Sequence, residues 1–301
     1  MEIRVLKYFL TVVREESISR AAEVLHITQP TLSRQLAQME EETGVKLFQR
    51  GSRKITLTAE GILLRRRAEE IVELVDRTVA ELPLQEKEVE GTISIGSGEV
   101  AAMEVLAEIC GAFRKKHPKV IFDLYTATAD VVKERMERGL IDIGLLLEPV
   151  DKEKFEYARL AVKERYVVLM KPEDPLAKKT HVTKADLAGL PLILPRRLNV
   201  QSELANWFGK EPDSLNVAFT GNLPTNSAVM VKHGYGYAVA IEGVIPYWDK
   251  KQIVSRPLYP ELASRTVLAW KRGQPFGSAT EKFIEHIKCF LSIDESQKLS
   301  I

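Results

Sequence analysis

Gln29, Pro30, Thr31, Ser33, Arg34 and Gln38 fall within one ten-residue stretch. Apart from the proline, each carries an amide, hydroxyl or guanidinium of the kind that hydrogen-bonds base edges and phosphates. Leu32, Leu36 and Met39 recur at i, i+4 and i+7 in the same stretch. That spacing gives a helix with an inward apolar stripe, and Pro30, Arg34 and Gln38 lie roughly opposite it. A merely solvated face would more often mix Lys and Glu, and that mixture begins only at Glu40. A second polar group follows at Arg50, Arg53 and Lys54, around Gly51 and Ser52. Glycine at a hairpin tip supplies positive φ, and arginines there suit phosphate or minor-groove contact. Alone, this tip would read as a solvated turn; the helix pair before it favours nucleic acid.

The elements that hold these residues run from Ser19 to Thr58. Small Ala21 and Ala22 let a partner helix approach, and Val24 and Leu25 fill the contact. His26 and Ile27 make the turn. Thr28 is a good N-cap, and Pro30 is tolerated in the first turn, where amides have no intrahelical partner. Gly44 ends the second helix, and Val45, Leu47 and Phe48 return to the core ahead of alternating Ile55 and Leu57. Two helices, a tight turn and a basic hairpin make a winged helix-turn-helix. Thr58 then caps a long helix to about Leu82. Its apolar Leu64, Ala68, Ile71, Val75, Val79 and Leu82 form a coiled-coil-like seam. Nothing in so small a domain is expected to cover that seam, so a homodimer through this helix is expected, with packing of the seam on the rest of the chain as the alternative.

Charge and composition bound the rest. The chain has 301 residues, 45% of them hydrophobic, enough for two or three domains with cores of their own. Net charge is +1, so the basic residues between Arg34 and Arg67 form a local patch on a neutral protein. That suits specific rather than bulk nucleic-acid binding. No apolar run approaches the roughly 20 residues of a membrane span, and the amphipathic start with early Glu2 is no signal peptide. Cys110 and Cys289 read as small buried hydrophobes in a reducing cytoplasm. The five histidines lack metal-ligand spacing, and no cofactor or metal is expected.

Beyond Pro83 and a charged linker at Gln85–Glu90 the texture changes. Strand-like Thr92–Ile95, Val120–Tyr125 and Ile141–Leu147 alternate with helical segments ending near Lys116 and Arg138. Tyr166–Met170, Pro191–Leu194, Val217–Thr220 and Tyr237–Ile241 repeat the pattern, with a short helix at Lys184–Leu187. Such alternation predicts a parallel α/β sheet. Two lobes follow, with crossovers near Phe155–Val162 and Ser255–Arg265 and a ligand cleft at the strand ends.

With these pieces placed, the chain resembles the LysR-type transcriptional regulators over essentially its whole length. The most specific match is Leu25 to Ser33 (LHITQPTLS) followed by Gln35, Leu36 and Glu40. Ser17–Ala22, Gly44–Arg50 and Leu57–Gly61 match the surrounding signature. Arg138–Gly144 and Val231–Ala240 carry the weaker match further on. The resemblance implies an N-terminal all-α winged helix-turn-helix with a long linker helix, joined to an α/β two-lobed periplasmic-binding-protein-like effector domain. The boundaries expected are 1–58, 59–83 for the linker helix, 84–90 for a hinge and 91–301. Within the last, lobe I spans about 91–160 and 266–293, and lobe II about 161–265. It further implies a homotetramer of dimers on double-stranded promoter DNA, a small-molecule effector, and contact with RNA polymerase.

By the same analogy the effector would meet Ser97 and Gly98, Thr126 and Thr128, and Glu148 and Pro149 in lobe I. From lobe II it would meet Pro195, Arg196, Val200, Asn226 and Glu242. Ser97 and Thr128 near helix starts would favour an oxyanion, to which Arg196 or Arg197 could add a fork. They could equally be ordinary caps and solvated arginines. Glu99, Glu148 and Glu242 argue instead for an amine-bearing or neutral ligand, so the effector class stays open. Two other functions stay open as well: a structural DNA-binding protein without an effector, and a cleft enzyme. Against the enzyme, no Walker, GxGxxG, HExxH or GxSxG motif is present, and Gly96–Glu99 is too short for a dinucleotide loop.

Overall fold

The computed structural model describes residues 2–49, 55–81, 89–197, 203–204, 206–209, 215–243 and 248–298. The chain divides into two compact units, Met1–Pro83 and Leu84–Ile301.

The first unit holds α1 (Ile3–Glu15), α2 (Ile18–Val24), α3 (Gln29–Thr43) and α4 (Ala59–Glu81). Leu6, Phe9 and Val12 of α1 meet Ala21 of α2 and Leu32, Leu36 and Met39 of α3 in one core. Burying each large side chain contributes about 1.5–3 kcal/mol, so the stripe read from the sequence fixes how α3 docks. Ser17 caps α2 by accepting the Arg20 amide. The turn into α3 closes with the Ile27 amide donating to the Ala22 carbonyl at 3.0 Å, and His26 takes φ 53° to allow it. Thr28 occupies the N-cap position, but its hydroxyl pairs with that of Thr31 at 2.8 Å instead of an amide. After α3, Phe48 and Leu57 form an antiparallel bridge, the base of the expected wing.

The seam on α4 differs from expectation. Ala68 is fully buried and Leu64, Ile71 and Val72 pack into the unit's own core, because α1 lies along α4. Lys7 fastens the pair through Asp76 at 2.7 Å. Among the described residues α4 leaves Ile62, Leu63, Leu74 and Val79 exposed, and of these Val79 alone belongs to the expected seam. Leu82 lies outside the described residues.

The second unit is built on β1 (Gly91–Ser97), α5 (Met103–Lys116), β2 (Val120–Thr126), α6 (Ala129–Glu137), β3 (Ile143–Leu147) and β4 (Phe155–Met170). It continues with β5 (Val182–Thr183), β6 (Leu192–Pro195), β7 (Val217–Gly221), α7 (Pro224–Lys232) and β8 (Tyr237–Ile241). Then come β9 (Val254–Tyr259), β10 (Ala263–Lys271) and α8 (Ser278–Lys298). The main sheet runs β2-β1-β3-β10-β4-β8-β6-β7. It is mixed, not purely parallel: β10 runs antiparallel to both β3 and β4, and β4 antiparallel to β8.

The segment Phe155–Val162, expected as a crossover, is the first half of β4. That half pairs with β10 and the second half with β8 and β9, so one 16-residue strand serves both lobes. Strand β9 was not anticipated, since Arg256 and Pro257 interrupt any apolar alternation. Lys184–Leu187 is a run of turns, with the Asp186 amide bonded to the Thr183 carbonyl, in place of a helix.

The Arg138–Gly144 motif now has a physical account. Asp142, buried, accepts the Ser94 amide at 2.9 Å and locks β1 beside the start of β3. A Cβ on Gly144 would lie 2.5 Å from the Met136 sulfur, so the glycine lets the Met136 side chain of α6 pack against β3 without shifting.

Candidate functional site

On the first unit, α3 presents Gln29, Pro30, Thr31, Arg34 and Gln38 to solvent, with Ser33 half-buried. The opposite side is sealed by Leu32, Leu36 and Met39. The Gln29 amide nitrogen donates to the Ser33 hydroxyl at 3.2 Å, and that of Gln38 to Glu42 at 3.1 Å. Arg34 makes no ion pair among the described residues and stands exposed. The face is therefore donor-rich, carries one free guanidinium and sits on a rigid stripe. Such a face can be laid against a groove and form bidentate contacts.

Glu40 fixes the far end of that helix. Its carboxylate accepts the Leu47 amide at 2.8 Å and Lys46 at 2.6 Å. Burial works to raise this carboxyl. The hydrogen bond from Lys46 and the amides of Leu47 and Phe48 outweigh it and hold the group below its ordinary value. Arg50, Arg53 and Lys54 lie outside the described residues.

On the second unit, a cleft opens between the lobes. Leu145, Leu147, Val239 and Ile241 give it apolar walls. Two charged contacts cross it. The Glu99 carboxylate, just past β1, accepts the Thr225 amide at 2.9 Å and the Thr225 hydroxyl at 2.6 Å, at the start of α7. Arg197 forks onto Asp130 at the start of α6, with two contacts of 2.8 Å. Carboxylates are favoured at helix N-termini, where amides lack partners, so both acids sit where the backbone invites them. Glu164 does the same for α5. Completely buried, it accepts the amides of Ala101 at 3.1 Å and Ala102 at 2.8 Å.

Tyr166 also lines the cleft and is only 2% exposed. Burial pushes its phenol up to about 12, so it stays a neutral donor. Among the described residues no group of His, Cys, Asp and Glu could hold a metal ion, and no helix is long and apolar enough to cross a membrane.

Comparison with known proteins decides what this pairing of reading head and cleft belongs to. Residues 3–62 match the model for the bacterial regulatory helix-turn-helix protein, lysR family, and residues 86–292 the LysR substrate binding domain. The chain belongs to the LysR family of transcriptional regulators.

It is 30% identical to the Hca operon transcriptional activator HcaR of Escherichia coli, over 91% of this chain and 93% of that one. It is 32% identical to the HTH-type transcriptional regulator BenM of Acinetobacter baylyi, over 72% and 73%. Its fold is that of full-length CbnR complexed with its target DNA, at TM-score 0.74, 22% identity and coverage of 96% and 99%. LysR-type proteins bind promoter DNA and small-molecule effectors, and they regulate transcription rather than catalyse reactions.

Within this LysR-type cleft the expected effector residues are placed unevenly. Gly98, Thr128 and Pro195 line it, and Thr126 lines an adjoining recess with Thr225 and Trp248. Ser97 does not line it: the side chain is buried and its hydroxyl donates to the Gly98 carbonyl at 2.7 Å. Glu148 is drawn to Arg159 and Glu242 to Arg165, each at 2.9 Å or less, and neither faces the cleft. Arg197, not Arg196, reaches the cleft, because consecutive residues leaving a strand point to opposite sides. Asn226 is passed over for its neighbour Ser227. Pro149 follows a cis peptide bond outside the lining, and Val200 lies outside the described residues.

Tyr166, Asn222 and Ser227 were not anticipated. No pattern marks them, since the first reads as a strand aromatic and the others as loop and helix polars.

Proposed function

We propose that Gln29, Pro30, Thr31, Ser33, Arg34 and Gln38 meet the major groove of a promoter, with Arg50, Arg53 and Lys54 on the backbone or minor groove. The observation that carries this is the two-sided character of α3: a sealed apolar stripe behind an exposed row of amides, hydroxyls and one free arginine. The working division is a reading head at 1–58, a linker helix at 59–83, a hinge at 84–90 and an effector domain at 91–301. Exposed Ile62, Leu63, Leu74 and Val79 support dimerisation through the linker helix. Pairing of such dimers gives a homotetramer that acts on DNA in the cytoplasm, with RNA polymerase as its downstream partner. A small molecule in the interlobe cleft, among Gly98, Thr128 and Pro195, shifts how the assembly holds or bends its site.

Affinity selection from a random duplex pool tests the reading. The expected product is a sequence with two-fold symmetry and half-sites spaced by whole helical turns. Enrichment without such symmetry would overturn the dimeric reading head, and no enrichment would overturn the reading of α3.

A further inference from the structure

The cleft carries a carboxylate of its own, that of Glu99. Glu99 spends both oxygens on the amide and hydroxyl of Thr225, and no basic side chain among the described residues is bonded to it. Arg197, the cation that lines the cleft, is already forked onto Asp130. What remains unpartnered among the described lining residues is neutral. The Tyr166 phenol, 98% buried, and the hydroxyls of Thr128 and Ser227 make no hydrogen bond there.

We infer that this cleft selects a compact uncharged ligand, an apolar body carrying hydroxyl or carbonyl groups, and that Glu99 excludes carboxylates from it. The inference rests on the effector reading of the cleft. A second carboxylate beside Glu99 meets like-charge repulsion that, at an effective dielectric of about 20, exceeds a tenfold penalty at contact range. A neutral carbonyl or hydroxyl meets none, and it can accept from Tyr166 and exchange hydrogen bonds with Thr128 and Ser227. Apolar walls supply the remaining affinity.

Benzamide and benzoate share one shape and differ in charge, so their dissociation constants on the full chain read the selection directly. By calorimetry, the wild type should bind benzamide about tenfold or more tightly than benzoate. Glu99→Gln keeps an acceptor for Thr225 but removes the charge, and it should bring the two probes close to equal. Glu99→Ala vacates the seat and should favour benzoate.

Equal or tighter binding of benzoate by the wild type overturns the inference, as does a ratio that neither substitution moves. Silence of both probes at millimolar concentration on all three proteins overturns it too. These constants are measured without DNA. A failed effector reading shows separately, as saturable binding that leaves the footprint on the selected DNA unchanged.

Discussion

The Glu40 carboxylate accepts the backbone amide of Leu47 at 2.8 Å, joining the end of α3 to the segment that follows it. With Lys46 bound to its other oxygen, Glu40 ties the end of α3 to the segment that enters the Phe48–Leu57 bridge. Its carboxyl is held below the ordinary 4.5. The stabilisation is therefore fully present above that value and is lost as pH falls through the lower folded value. Glu40→Gln should cost about 1–3 kcal/mol at neutral pH, the range for an orphaned partner of a charged hydrogen bond. It should also flatten the acid dependence below about pH 4.5. Exchange protection of the Leu47 amide in the full chain reports both. Identical protection in wild type and variant across that pH range would remove Glu40 from this role.

Gly61 lies in α4, where an alanine would ordinarily stabilise by about 1 kcal/mol. Here a Cβ would stand 2.2 Å from the Leu47 carbonyl oxygen, a backbone atom with no room to retreat. Gly61→Ala should therefore destabilise the first unit by about 1–3 kcal/mol. Gly111, exposed in α5 with nothing within 4 Å, is the matched control, and alanine there should stabilise by about 0.5–1 kcal/mol. Urea titrations of both variants check the opposite signs, and a stabilised Gly61→Ala would show that α4 can shift away.

Local rules explain how much of this was readable beforehand. The period of Leu32, Leu36 and Met39 and the signals at Pro30 and Gly44 are written within a few residues, so the reading head was legible down to its turn. The α4 seam was read correctly as apolar, but Leu64, Ala68 and Ile71 turn into the unit's own core, because periodicity reports that a face is buried and not what buries it. The same limit hid β4. A strand that is half of one lobe and half of another looks like a crossover until its two pairings are known. In the cleft, Glu99 and Ser97 carried the right types for ligand contact, but which group turned inward depended on Thr225, 126 residues away. Arg196 and Arg197 are indistinguishable in sequence, and only strand geometry chooses between them.

Cys110 and Cys289 read alike in the sequence, yet the structure separates them. Burial pushes the Cys110 thiol up to about 12, whereas Cys289 is exposed on α8. Thiolate is the reactive form, so at mildly alkaline pH Cys110 presents almost none. Iodoacetamide should modify Cys289 first and leave Cys110 intact until the chain unfolds, as peptide mass spectrometry would record. Equal labelling of the native protein would mean that the core around Cys110 opens.

Arg34 carries the sharpest test of the DNA-facing surface. It is exposed, sits beside the leading polar residues of α3 and makes no ion pair among the described residues, so its fork is available at no cost to the fold. A bidentate base contact is worth about 1–3 kcal/mol of discrimination. Arg34→Ala should weaken binding to the selected sequence by that amount and relax preference at one position of each half-site. Arg34→Lys separates charge from geometry. It keeps the counterion release that sets salt dependence but loses the planar fork, so the salt slope should hold while the base preference falls. Fluorescence anisotropy on matched and singly substituted duplexes, across a salt series, distinguishes the two. If alanine lowers the salt slope but leaves the base profile intact, Arg34 touches phosphate, and the sequence is read from Gln29, Thr31 and Ser33 instead.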